Sequence, residues 1–404
     1  MKSHSASIPT CRQPAGGFIL RWLVAAWALA MLAGPPQAQA ADKLLVGPQE
    51  GASALQTATA RAKDGDTIEV LPGEYAGGVI LVNRRLTLRG VGGGTPVIKG
   101  DGKAGSLQAL LTVRGGAVTL ENLEFRGARS QEGGGAGVRQ EGGQLTLRGC
   151  SFFDNEHAVY ATNDEAAELH IDSSVLGMAP RVVGGLYHLL SVGRIAKLTI
   201  NGSRFQQGFE GHLIKSRARV NDIRYNFIHD GQRGGASYEI EIANGGLATI
   251  IGNVIGQGAD SQNPVVVAYG TEGRSWDRNA LYFAHNTLVN YGWLPAWFLR
   301  VIDKNLPPDT PVHAVNNLLV GPGVFWLGAS GHFEGNRQTL RSLLRDADTY
   351  GFELAPGSMW RGAGIDPRQV DGQDLSPRAE FKWPVGIEPL AADLGRWSPG
   401  AYQR

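Results

Sequence analysis

The feature that most limits what this chain can fold into is a short unit that occurs eight times. Each copy is an apolar residue followed by another five positions later: LENLEF (120–125), LRGCSF (147–152), IDSSVL (171–176), INGSRF (200–205), IRYNFI (223–228), IIGNVI (250–255), FAHNTL (283–288) and AVNNLL (314–319). The steps between copies are 27, 24, 29, 23, 27, 33 and 31 residues. A period of this size, made of short strands and turns without a long helical pattern, marks a solenoid. Stacked about 4.8 Å apart, its coils align like residues into ladders around a narrow core. Phe125, Phe152, Phe205, Ile228 and Ile255 are expected in one interior column. Asn226, Asn253, Asn286 and Asn317 stand fourth in the last four units and are expected to stack at a corner. There an amide can bond its neighbours and tolerate left-handed backbone.

A solenoid needs its ends covered. The stretch 53–63 (SALQTATARAK) reads as a capping helix, within an N-terminal cap spanning about 41–75. Residues 338–346 (QTLRSLLRD) read as a short amphipathic helix. From about 355 to 404 the chain is rich in Pro and Gly and reads as an extended tail packed along the solenoid. Ahead of all this, Lys2, Arg12 and Arg21 precede an apolar run, 22–34, and the small residues of Ala38-Gln39-Ala40. That pattern is a cleaved signal peptide over 1–40, too short to span a bilayer at roughly 20 residues. The expectation is one domain, 41–404, periplasmic or secreted, without a stable membrane anchor and monomeric.

Removing 1–40 leaves 35 basic against 37 acidic residues, which argues against nucleic acid as a partner. Within 194–233, however, eight Lys or Arg meet three acids, a local excess that suits a polyanion. Cys150 stands alone once Cys11 leaves with the signal, so neither a disulfide nor a Cys-based metal site is expected.

The window 210–246 gathers the chemistry. His212 and Lys215 lie in one short strand, with Arg217 and Arg219 just beyond. In 238–242 (YEIEI), Glu239 and Glu241 alternate with Ile240 and Ile242, which would turn both glutamates outward. Lys215 precedes Glu241 by about one coil. Counted back from Ile223 and Ile250, though, Lys215 falls level with Ile242, so one inserted residue in the turn would be needed to pair them. Leu213 would then also have to face out.

The opening SALQTATARAKDGDTIEVLPGEYAGGVIL…LTLRGVG resembles the start of right-handed parallel β-helix proteins of the pectate-lyase-like superfamily. That resemblance implies an all-β, single-domain right-handed parallel β-helix. Lys215-Ser216 followed by IRYNFI (223–228) resembles a narrower group, the β-helix alginate lyases and chondroitinase B. It implies a catalytic lysine at Lys215 and a calcium-binding carboxylate at Glu210. Where that group carries Arg-His-Gly, this chain has Ala243-Asn244-Gly245.

Eliminative cleavage of a uronate polymer removes the C5 proton and expels the 4-linked sugar. It needs a cation at the carboxylate, a base at C5 and a proton for the leaving oxygen. Lys215 is the candidate base, favoured as the free amine by neighbouring cations. Arg217 or Arg219 would hold the substrate carboxylate. His212 or Tyr238 would supply the proton. Glu210, Glu239 and Glu241 would hold Ca²⁺. Arg224, Tyr269, Glu272, Arg274, Trp276 and Trp293 are candidate substrate contacts, since flat aromatic faces suit sugar rings and loops carry ligands. The expected function is therefore a polysaccharide lyase acting on an acidic glycan. The alternatives are a non-catalytic glycan-binding β-helix and a uronate C5-epimerase.

Overall fold

Three short strands per coil build the molecule. In the middle of the chain they are Ile214–Ser216, Val220–Arg224 and Phe227–His229, followed one coil later by Ile240–Ile242, Leu247–Ile251 and Val254–Gln257. Each pairs in parallel with its equivalent in the next coil, so the coils stack into three faces. The computed structural model describes residues 42–403 apart from 104, 106, 328, 329 and 392–394. The signal segment expected over 1–40 lies outside the described residues. Asp42–Arg404 is one compact unit.

The interior column of the third face reads Ile98, Phe125, Phe152, Leu176, Phe205, Ile228, Ile255, Leu288, Leu319 in unbroken register. Phe125 and Phe152 stack with ring centres 5.1 Å apart. The expected aromatic and aliphatic ladder is therefore present, with Leu176 filling the rung between two phenylalanines.

The corner between the second and third faces is a two-residue device. The first residue is left-handed in every coil from Asn122 to Gly335, through Gly149, Ser173, Gly202, Tyr225, Gly252, His285 and Asn316, with φ between 49° and 69°. One such residue swings the chain sharply, and glycine takes four of the nine places because it does so without strain. The second residue forms the amide ladder. Asn253 Oδ1 accepts both the backbone N–H (2.9 Å) and the side-chain N–H (3.0 Å) of Asn226, while Asn253 Nδ2 donates to Ile223 O at 2.9 Å. The same bonds join Asn253 to Asn286, Asn286 to Asn317 and Asn317 to Asn336. Ser203 and Ser174 carry the ladder backward with hydroxyls.

A helix spans Ala54–Arg61 and buries Ala54, Leu55, Ala58 and Thr59 toward the first strands. The helix expected over 338–346 is not formed. Arg337–Thr339 pairs with Leu318–Val320 as a last rung, Arg341–Leu343 is a 3-10 turn, and Leu344–Asp346 is a strand. Asn336 anchors the ladder there, so the segment is taken into the sheet before a helical face can form. Leu340 and Leu343 stay exposed as a result. Beyond it, several described residues of the C-terminal segment bond to the outside of the coils. Tyr225 Oη accepts the Arg378 N–H (2.8 Å), Tyr282 Oη meets Asp371, and the Ala401 N–H reaches Thr287 Oγ1 at 2.9 Å.

Candidate active site

The first face breaks the alternation that a strand normally keeps. Leu213 and Ile214 are both fully buried in the core, as are Glu239 and Ile240 one coil later. Two inward residues in succession turn the residues flanking them outward. His212 and Lys215 therefore share the outer surface, and so do Tyr238 and Glu241. The expectation that Leu213 faces out is overturned. So is the outward placement of Glu239, because the break falls one residue before the isoleucine that set the count.

Lys215 pairs in register with Glu241. The inserted residue that this requires lies in the following turn. Three residues, 217–219, join the strands in one coil and four, 243–246, in the next. Gly245 and Gly246 adopt φ of 68° and 88°, and a Cβ on Gly246 would meet Arg219 O at 2.6 Å. Tyr269 Oη and Asn279 Oδ1 close the turn through bonds to Gly246.

On the outer surface, Lys215 Nζ lies 3.0 Å from Glu241 Oε2 and 2.8 Å from Glu272 Oε1. Arg217 grips Glu272 with both edges of its fork, Nε at 2.6 Å and Nη2 at 2.8 Å. His212 Nε2 is 3.1 Å from Glu241 Oε2, and Thr271 Oγ1 donates to Glu241 Oε1 at 2.6 Å. Burial alone would raise the Glu241 carboxyl, but the bonds from His212 and Thr271 and the Lys215 charge outweigh it and hold it at about 2. Burial likewise opposes ionisation of Glu272, while Arg217 and Lys215 hold its carboxyl below the usual range. The sequence led us to expect cations around Lys215; its closest charged partners are carboxylates.

His212 belongs to a stack. Its ring lies 4.5 Å from that of His188, and its backbone N–H donates to His188 Nδ1 at 2.9 Å. His157 Nδ1 in turn contacts His188 O. Burial, reinforced by the neighbouring His212, pushes His188 down to about 2, so it stays neutral. The Tyr238 N–H points at His212 Nδ1, which leaves Nε2 to carry the proton toward Glu241. The Tyr238 ring stands edge-on to His212 at 4.8 Å, and burial with the Glu241 charge raises its phenol.

The row holding Lys215 runs, in register, Arg139, Tyr160, Ser191, Lys215, Glu241, Ala268, Arg300. Arg139 lies over the Tyr160 ring at 5.0 Å and Arg300 over the Trp297 ring at 4.4 Å. A cavity of about 450 Å³ opens beside Arg139, Tyr160, His157 and Tyr187. Sequence reasoning missed His157, His188, Arg139, Tyr160, Arg300 and Thr271. Counting coils back from His212 and Lys215 would have found the first four. A second cavity of about 570 Å³ lies on the third face near His229, Asp230 and Arg181, and shares none of the residues around Lys215.

Several expected site residues lie elsewhere. Glu239 sits inside, with both carboxyl oxygens unpartnered; burial, and then Asp230, raise it well above the usual range. Glu210 accepts the Gly184 N–H at 2.6 Å. Glu210, Glu239 and Glu241 do not fit a calcium site, since one faces the core and another is held by three protein donors. Among the described residues, no three His, Cys, Asp or Glu side chains gather as a metal-binding group. Tyr269 is wholly buried, and Trp276 is buried with its indole N–H donated to Arg217 O, so neither offers a face to a sugar. Both were drawn inward by the need to close the turn at Gly246. Arg219 is exposed and lies over Trp276 at 5.8 Å. Arg224 pairs with Asp222 on the second face, away from Lys215. Trp293 is 85% exposed and Arg274 is also exposed, as loop contacts require.

No protein-family model matches this chain, and no curated protein matches it. Among solved structures, the pectate lyase Pel9A superposes with a TM-score of 0.59, covering 91% of this chain and 98% of that one at 12% identity. The fold is a parallel β-helix. A mutant of the PL6-family alginate lyase AlyGC aligns at 16% identity and a TM-score of 0.39, over 76% of this chain and 42% of its own. Escherichia coli YbhC aligns at 12% identity and 0.36, over 76% and 87%. At 12% identity the likeness to Pel9A is one of fold. Among the described residues no helix is long and apolar enough to cross a membrane.

Proposed function

We propose that this chain is an exported carbohydrate-active protein that acts on an acidic polysaccharide, cleaving it by β-elimination at a uronate. The observation that carries the reading is the outward cluster of Lys215, Arg217, His212, Tyr238 and Glu241 at the centre of an in-register row. Within that row Arg139 and Arg300 lie to either side of the cluster. Six rungs at about 4.8 Å separate Arg139 from Arg300 by about 29 Å, the scale of a polymer segment rather than a small ligand. Arg300 over the Trp297 ring offers a carboxylate partner beside a flat apolar surface, and Arg139, which holds Glu141 at 2.7 Å, lies over Tyr160.

In this reading Arg217 neutralises the uronate carboxylate. The Lys215 amine takes the C5 proton, the C5–H electrons form the C4=C5 double bond, and the C4–O bond breaks. Tyr238 is the better proton donor to the leaving oxygen. Its phenol is raised and stays protonated, whereas the His212 proton is directed at Glu241. Glu241 positions both Lys215 and His212.

One observation favours a second reading, a glycan-binding β-helix without turnover: Lys215 Nζ is engaged by two carboxylates. Lys215→Ala separates the two. The enzyme reading expects turnover, followed by absorbance of the unsaturated product, to fall roughly 10²–10⁴-fold with polymer affinity little changed. A wild-type protein that binds alginate, pectate or a glycosaminoglycan but yields no unsaturated product would overturn the elimination.

A further inference from the structure

Glu272 departs from the rest of the site because it is not part of the scaffold. It lies in the loop 270–279, which joins the strand Val265–Tyr269 to the strand Ala280–Ala284, and it reaches back 55 residues to meet Arg217. Its two oxygens accept from Arg217 Nε and Nη2 at 2.6 and 2.8 Å, and Lys215 Nζ lies 2.8 Å from Oε1. The two-pronged guanidinium is the donor set expected around a planar carboxylate. Lys215 and Arg217 come from one strand and the turn that follows it, and their side chains are only 13% and 29% exposed. Glu272 is 35% exposed. The cations are built into the face, while the carboxylate arrives from outside.

The loop is suited to releasing it. Gly270 and Gly273 bracket Thr271 and Glu272 at φ of 81° and 94°. A Cβ on Gly273 would have nothing within 4 Å, so the chain beyond Glu272 is unpacked on that side. The base of the loop is fixed. Asn305 Nδ2 donates to Gly270 O and Thr271 O, and Thr271 holds Glu241. Motion of the Glu272 side chain therefore need not disturb Glu241.

We infer that the Arg217 fork is the seat of a substrate uronate carboxylate, with Lys215 left to face C5, and that Glu272 is an internal carboxylate which substrate displaces on binding. The inference rests on the uronate reading above and assigns the place of the anionic group within it. Displacement also withdraws one of the two carboxylates flanking Lys215. Glu272 thus guards the site against weakly bound anions, and a polymer held at several rungs overcomes it.

The test uses the full chain with Glu272→Ala and Glu272→Gln, probed with trigalacturonate and trimannuronate by calorimetry, or by KM where product forms. Thermal melts establish that both variants fold. Removing a half-exposed competing carboxylate is expected to tighten binding about fivefold to tenfold in both variants. Adding Arg217→Ala to Glu272→Ala should abolish that gain. Folded Glu272 variants that bind either trimer as weakly as wild type, or more weakly, overturn the inference and make Glu272 a positioning residue. If no form of the protein binds either trimer or the parent polymers, the uronate reading fails and takes this inference with it.

Discussion

Glu239 offers a sharp test of the description of the first face. Its interior neighbours in the coil stack are Leu213, whose N–H bonds Tyr238 O, and Val266, whose O accepts the Glu239 N–H. All three side chains are fully buried, and both Glu239 oxygens lack a partner. An unsatisfied buried polar group costs about 1–3 kcal/mol, and burying an aliphatic side chain in its place contributes about 1.5–3 kcal/mol. Glu239→Leu should therefore stabilise the fold by about 2–4 kcal/mol, read as a higher midpoint in urea at pH 7. The pH dependence has a definite sign. A carboxyl raised in the folded state keeps a proton that the unfolded chain has lost. Its stability is complete below the ordinary carboxylate range and is lost as pH climbs through and above it. Glu239 behaves this way through burial and then Asp230, and Asp230, raised by burial to about 7, adds to the same fall between about pH 4 and 7. Wild type should thus lose stability from pH 4 upward. Glu239→Leu should lose less, keeping only the Asp230 share, and Glu239→Gln should flatten the slope likewise while leaving a buried amide. If Glu239→Leu is destabilising, or leaves the pH slope unchanged, Glu239 does not face the core.

Other expectations follow from the ladders and the outer row. Phe205→Ala, which empties one rung between Leu176 and Ile228, should cost about 3–5 kcal/mol in chemical denaturation; a loss under 1 kcal/mol would refute the column. Asn253→Ala strands the Asn226 N–H and the Ile223 carbonyl at the corner and should cost about 2–3 kcal/mol, whereas the exposed Arg233→Ala should change little in the same assay. Because the three expected glutamates do not converge, millimolar calcium should leave the melting temperature unchanged, and a rise of several degrees would contradict their placement. Tyr238→Phe should lower turnover while sparing polymer affinity; equal turnover would move the proton source elsewhere.

Much of this molecule could be read along the chain. Coils stack at one fixed spacing, so a residue and its equivalent one period later must be neighbours. That is why the Phe and Asn columns and the Lys215–Glu241 pairing were legible, even to the inserted residue that Gly245 and Gly246 accommodate. The histidine stack was equally encoded, but its rungs carry no repeated motif. What the sequence did not decide was which way residues face where the alternation breaks. Glu239 read as outward because strand periodicity assumes alternate faces, yet two successive inward residues at the entry to the strand reverse that count. Tyr269 and Trp276 read as sugar platforms, but closing the turn at Gly246 buries them. The contact of Glu272 with Arg217 and Lys215 belongs to tertiary structure alone. It joins a loop, which has no period, to a strand two coils away, and only the path the loop takes across the face brings its carboxylate within hydrogen-bonding distance.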